Sequence, residues 1–286
     1  MAASAGKAAQ LGMPFHRART RPTTHSSAQP ISRADRKPPD VLAIALILAS
    51  VPFSAAVGHA QDPPPDPPPN LAKLVAHRET ETERERNEYM YRQSVTIDEL
   101  DSGGGAKGQY RETRDVIFSP EKDRSEQLIG HADNGLKNLI MTEEDFADIR
   151  NIQPLVLTED RLWNYETKFR GDETMDGVDC WVLQVRPRQI LQGQRFFDGM
   201  IWADKKAYNI VRMEGQAVPQ IRSTKSENLF PRFTTIRKPL DGSHWFPIYT
   251  YADDTLQFRN GPQRIRLRIA YSNYKRFGAE STLIVK

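Results

Sequence analysis

Cys180 is the only thiol of the chain, and a thiol does chemistry only as a thiolate beside a base or a cation. Here it stands between Val178 and Val182 in an apolar alternation, where it reads as an inert filler of a strand face with no disulfide partner. His77, His131 and His244 follow the first sixty residues at distances that match no metal-ligand spacing. Gly103, Gly104 and Gly105 lack the helix that a phosphate-cradling loop needs behind it. Asp253-Asp254 follows a strand and reads as the opening of a solvated turn. Arg264, Arg266 and Arg268 alternate along one strand, as a wet face or as a contact for lipid headgroups or an acidic partner. The sequence thus predicts no enzyme: no catalytic residue, no metal and no cofactor.

What remains is apolar chemistry. Trp181, Leu183 and Val185 share one side of a strand, as do Met200 and Trp202, Val211 and Met213, and Trp245, Tyr249 and Tyr251. Tyr89, Tyr91, Val95 and Ile97 alternate with polar residues, and Ile265, Leu267, Ile269 and Tyr271 alternate with the three arginines. Converging, these faces form either an ordinary core or a pocket rich in Trp, Tyr and Met. Such a lining suits a long apolar ligand of variable shape.

The elements that position these faces are mostly strands. Asn70 opens a short helix with Leu71, Leu74 and Val75 as its apolar stripe, and Glu79 to Arg86 is almost wholly charged. From Tyr89 the period is two. The Ser102–Gly108 loop returns the chain through Gln109–Phe118, and further strands are predicted at Cys180–Val185, Met200–Ala203, Asn209–Ala217, Trp245–Tyr251 and Arg264–Tyr274. Asp176-Gly177, Asp241-Gly242 and Asn260-Gly261 mark hairpin turns. Thr142 caps a second helix with an acidic first turn, Phe146 and Ile149 on its apolar face and Pro154 beyond its end. Two short helices cannot cover eight to eleven strands, so the sheet must close on itself or curl around something.

The N-terminus carries an address. Val41–Val57 is an uncharged apolar run of 17 residues behind Arg33, Arg36 and Lys37, and Gly58 and Ala60 occupy the small-residue cleavage positions. A membrane span needs about 20 continuous apolar residues. The pattern predicts export with cleavage near Ala60, so residues 1–60 are a targeting segment and the protein is periplasmic. Of 40 basic and 37 acidic residues, seven and two lie in that segment, which leaves 33 against 35 and supplies no basic surface for nucleic acid. Gln61 occupies the place of a lipidated cysteine, so membrane contact is expected to be peripheral or transient. Residues 61–69, built around DPPPDPPP, form a stiff spacer, and 70–286 read as one domain.

Phe197–Gly215, FDGMIWADKKAYNIVRMEG, resembles a hairpin of the periplasmic lipoprotein carriers of the Lol pathway and their lipid-binding relatives. The resemblance spans roughly Asn70 to Phe277, and the whole chain looks like bacterial outer-membrane lipoprotein-sorting proteins. It implies a mainly β fold, a curved antiparallel half-barrel with a helical lid, and acyl chains held on an apolar concave face. The residues expected there are Tyr89, Tyr91, Val95, Trp181, Leu183, Val185, Trp202, Val211, Met213, Trp245, Tyr249, Ile265, Leu267 and Ile269, with Phe146 and Ile149 on the lid. The expected partners are an acylated lipoprotein or lipid and an envelope transport or receptor protein. The alternative is a non-enzymatic sensor or scaffold of the same fold, acting through a protein partner.

Overall fold

The computed structural model describes residues 66–118, 123–154, 157–222, 227–240, 242 and 245–277, all within the compact unit Asp62–Lys286. The targeting segment, the first half of the spacer, Asp241 and His244 lie outside the described residues.

Helix α1 (Leu71–Arg86) buries Leu71, Val75 and Ala76, and the same stripe runs on through Glu79, Thr82 and Arg86. These positions recur every three or four residues, so the charged half of the helix still turns one face inward. Asn70 stands at the N-cap, but its side chain makes no capping hydrogen bond; its carbonyl accepts from the Leu74 N–H instead. Asn70 thus opens the helix through its backbone and not through a side-chain cap.

The strands are β1 (Tyr89–Leu100), β2 (Ala106–Phe118), β3 (Arg124–Leu128), β4 (Asp133–Asn134), β5 (Tyr165–Met175), β6 (Val178–Pro187), β7 (Phe196–Asp204), β8 (Ile210–Val218), β9 (Ile221–Arg222), β10 (Glu227–Asn228), β11 (Phe233–Pro239), β12 (Trp245–Phe258) and β13 (Gly261–Arg276). Eleven form one antiparallel sheet in the order β3-β2-β1-β13-β12-β11-β8-β7-β6-β5, with β4 also on β2, while β9 and β10 make a separate ribbon. Strands β3 and β5 end the order without pairing to each other, so the sheet is open. Sharp turns follow the sequence: Asp176 and Gly177 both take positive φ, 51° and 80°, between β5 and β6.

The sheet curls. Helix α2 (Glu143–Asn151) holds Tyr110 of β2 through Phe146, with ring centroids 6.2 Å apart. It also holds Arg195, which precedes β7, through Asp148 at 2.7 Å. Strands β2 and β7 are six places apart, which in a flat sheet is about 29 Å. Phe146 and Asp148 are separated by only about 3 Å of helix rise. A flat sheet cannot satisfy both contacts, so the architecture is a curved half-barrel with helices on its concave side.

Four sheet strands escaped the sequence pattern, the short β3 and β4 and the longer β5 and β11, the last two for opposite reasons. β5 is an edge strand, charged and exposed on most positions, with no apolar alternation to see. β11 hides its alternation because its buried positions include Thr234, Thr235 and Arg237. β12 also runs past Asp253-Asp254 to Phe258, which corrects the turn expected there. Asp253 lies opposite Arg266 and pairs with Arg264 and Arg266, while Arg268 pairs with Asp98. The three arginines are thus a wet face tied by ion pairs.

Candidate functional site

The concave face has a filled half and an open half. In the filled half, the Arg237 guanidinium reaches up from β11 and donates to both oxygens of Glu79 on α1, each at 2.7 Å. It also donates to the Pro154 carbonyl at 2.8 Å and lies 3.6 Å from the Met213 sulfur. Both charged side chains are about 1% exposed. A buried pair of this kind survives only with such geometry, because each ion alone would carry a large desolvation penalty. Arg78 donates to Asn209 at 2.7 Å, just beyond the β7–β8 turn.

The open half is a cavity of about 470 Å³. Its floor is Ile97 of β1, Leu256 of β12, and Ile265 and Leu267 of β13; its roof includes Met141 and Ile149, and Leu229 and Phe230 close one side. Buried Glu99 positions the rim: Oε1 accepts from the N–H groups of Asn138 and Leu139 at 2.7 and 2.6 Å, and Oε2 from Lys137 at 3.0 Å. Gly108 makes room for this, since a Cβ there would lie 2.6 Å from Glu99 Oε2. Beyond the pinned segment, Ile140 is 85% exposed. Thr142 and Asp145 form the predicted α2 cap as a reciprocal box, and Asn228 Nδ2 donates to Thr142 Oγ1 at 2.6 Å, tying β10 to the helix. Burial pushes the Asp145 carboxyl up to about 6, against the opposite pull of its bonds from Thr142.

Of the residues expected in one pocket, Tyr91, Val95, Trp181, Leu183, Val185, Met213, Leu267 and Ile269 share one continuous core with Ile149, and Phe146 packs against it. Ile265 joins a smaller cluster with Leu229 and Leu256. Only Ile149, Ile265 and Leu267 of the expected set border the cavity. Trp202, Val211 and Trp245 belong to a second cluster around Cys180 and Val182, and Tyr249 stacks on Tyr251 with centroids 5.9 Å apart. The whole set therefore does not converge. A bulge explains one case: Ile201 pairs with Met213, but Ala203 pairs with Ile210, so one extra residue sends Val211 and Met213 to opposite faces. Tyr89 meets Phe246 edge-on at 5.1 Å.

Sequence reasoning missed Glu99, Gln153 and the 138–141 rim. The apolar run Leu139-Ile140-Met141, just before a capped helix, was the signal available.

The hairpin that carried the family resemblance is built for structure. Asp204 Oδ1 accepts from the N–H groups of Lys206 and Ala207, and Oδ2 from Asn209, which closes the β7–β8 turn. Gly199 and Gly215 pair across the strands, and a Cβ on either would strike the Phe197 ring or backbone within 2.7 Å. Cys180 is fully buried; burial and neighbouring carboxylates push its thiol up to about 12. Among the described residues no His, Cys, Asp and Glu group could hold a metal, and no helix is long and apolar enough to cross a membrane.

No protein-family model matches the chain, and no curated protein does. Among solved structures it is similar to a LolA superfamily protein from Nitrosomonas europaea, 11% identical over 75% of this chain and 97% of that one, TM-score 0.36. It is also similar to a DUF1329 family protein from Desulfovibrio piger, 14% identical over 76% and 96%, TM-score 0.36. A third is the MucA/MucB complex of Pseudomonas aeruginosa, 12% identical over 70% and 93%, TM-score 0.24. These likenesses carry no argument about what this chain binds, which rests on its own geometry.

Proposed function

We propose that the protein is a periplasmic, non-enzymatic binder or carrier of acylated cargo, a lipoprotein or another lipid, with aliphatic chain held on the concave face. The observation that carries this reading is the apolar cavity between the sheet and α2. A chain of about 15 methylenes buried at about 0.8 kcal/mol each gains about 12 kcal/mol, so release needs a competing burial. Helix α1, already seated across the filled half, is such a competitor: cargo larger than the cavity has to displace it, and its return expels the cargo. The leader from Arg33 to Ala60 supports delivery to the periplasm.

A fluorescent fatty acid should bind the purified protein and be displaced by unlabelled lipid, and native mass spectrometry of protein from envelope extracts should show copurifying lipid. Protein with no extractable lipid that also ignores the fluorescent probe sinks the reading. N-terminal sequencing of the periplasmic form should begin at or near Gln61; a chain that keeps Val41–Ala49 contradicts export with cleavage.

A second reading is favoured by the outer face. Trp245 and Tyr249 are half-buried there and Tyr251 is 37% exposed. A sensor or scaffold would use such aromatics to hold a protein partner. Substitution of Tyr251 that abolishes a pull-down while lipid binding persists would favour it.

A further inference from the structure

A second hollow, of about 160 Å³, shares no lining residue with the acyl cavity. Its wall is apolar: Ile152 follows α2, Phe196 and Phe197 open β7, and the Tyr165 ring opens β5. All four are at most 6% exposed. The Tyr165 hydroxyl belongs to that wall, since it accepts from the Phe197 N–H at 3.1 Å. Polar side chains border the rest: Arg161 on the short helix α3 (Glu159–Leu162), Asn164 just beyond it, and Gln194 and Arg195 ahead of β7.

The donors around this hollow divide into spent and unspent. Arg195 gives its guanidinium to both Asp148 oxygens and to the Pro219 carbonyl, so its charge is matched and its N–H groups are committed. The side chains of Arg161, Asn164 and Gln194 have no hydrogen bond or ion pair among the described residues. Arg161 and Asn164 are half-buried and Gln194 is exposed, so a ligand can reach all three. Their backbones are held in place. The Asn164 N–H donates to the Arg161 carbonyl at 2.9 Å, the Asn164 carbonyl accepts from Arg188 at 2.8 Å, and the Gln194 N–H donates to Leu191 at 3.1 Å. The Arg161 charge is felt at the wall. Burial pushes the Tyr165 phenol up, and the Phe197 N–H and Arg161 pull against it.

The hollow therefore offers one unmatched positive charge, two free amides and a dry wall. A planar guanidinium fork fits a carboxylate, whose remaining lone pairs accept from amides such as these. One charge answers one charge, whereas a phosphate monoester brings nearly two. The volume is well below the roughly 300 Å³ at which pockets begin to take drug-sized ligands, which leaves no room for a long chain. We propose that this hollow binds a small carboxylate with a short apolar tail. Its oxygens lie on Arg161, Asn164 and Gln194, and its tail lies against Ile152, Phe196 and Phe197. The site is separate from acyl binding and stands or falls without it.

The test titrates the full chain with butyrate, butyramide and inorganic phosphate, followed by NMR at the Phe197 N–H and the side-chain amides of Asn164 and Gln194. Butyrate should shift all three signals along one saturable curve. Butyramide has the same shape without the charge and should bind about tenfold more weakly, the size of one charge-assisted hydrogen bond. Arg161→Gln should weaken butyrate by a similar factor and leave the melting temperature unchanged, because the guanidinium has no partner to lose. Butyramide held as tightly as butyrate, phosphate held more tightly than butyrate, or an Arg161→Gln variant that titrates like the parent overturns the carboxylate assignment. No saturable shift with any of the three removes the site, and displacement of a fluorescent fatty acid from the acyl cavity is unaffected by that result. If Arg161→Gln does not fold, Gln194→Leu at its exposed position takes its place. It too should weaken butyrate, and an unchanged affinity there overturns the proposal.

Discussion

Two halves of one concave surface solve the same problem differently. Beneath α1 the space is filled, and a buried Glu79–Arg237 pair locks helix to sheet. Beneath α2 the space is left open, and the helix is held by bonds at its periphery: the Thr142 cap, Asn228, and Asp148 with Arg195. Charge at the centre of a contact makes separation all-or-none, because neither ion tolerates isolation. Polar ties around an apolar hollow keep the roof in place without filling what lies beneath. The same curved sheet thus supports a latch on one side and a chamber on the other.

The largest effect should come from splitting the latch. Arg237→Met leaves Glu79 as an unpaired buried charge and should cost about 3–5 kcal/mol in urea unfolding. Combining it with Glu79→Leu should recover most of that loss. A double variant as unstable as the single would show that the pair is not what binds α1. On the open side, Gly108→Ala places a Cβ 2.6 Å from Glu99 Oε2 and should cost about 1–3 kcal/mol. Hydrogen exchange should rise at the amides of 137–139 and remain unchanged in α1; faster exchange in both places would make the halves one unit.

A smaller effect concerns Asp145. Its folded pKa is raised, from 3.8 to about 6, so the folded state holds the proton more tightly than the unfolded chain does. This contribution to stability is complete below pH 4 and is lost as pH rises through 6. Asp145→Asn should flatten that part of the stability profile between pH 4 and 7; a profile unchanged by the substitution would show that the carboxyl does not titrate there. The smallest effect belongs to neither half. Cys180→Ala, on the outer face, should cost about 1 kcal/mol, leave acyl binding intact, and the parent thiol should resist disulfide reagents at pH 8.

Much of the sheet was legible because a half-buried strand writes its two faces in alternate residues, as Arg264–Tyr271 does. The α2 cap was legible too, since Thr142 and Asp145 interact within one turn. The site was less so. Parity along a strand assigns faces only while the ladder is regular, and a single bulge at Val211 separates it from Met213. Glu79 reads as one of a charged run and Arg237 draws no reading, because nothing local reveals that each is the other's partner across 158 residues. Gln153 gives no sequence signal: its place beside the cavity is a property of the assembled fold.

Helix α2 closes the bowl of the sheet as a clasp, from one place along its length. Phe146 and Asp148, two residues apart near its middle, fasten it to both sides of the bend, at Tyr110 and at Arg195. Two side-chain ties of fixed reach, meeting at one place under an arc of fixed strand number, determine how far apart the two sides can stand. The bowl therefore cannot widen gradually to admit a thicker cargo while both fastenings hold. It admits what fits the present width, or it lets go at one tie, so the cavity should discriminate by girth with a threshold rather than a slope.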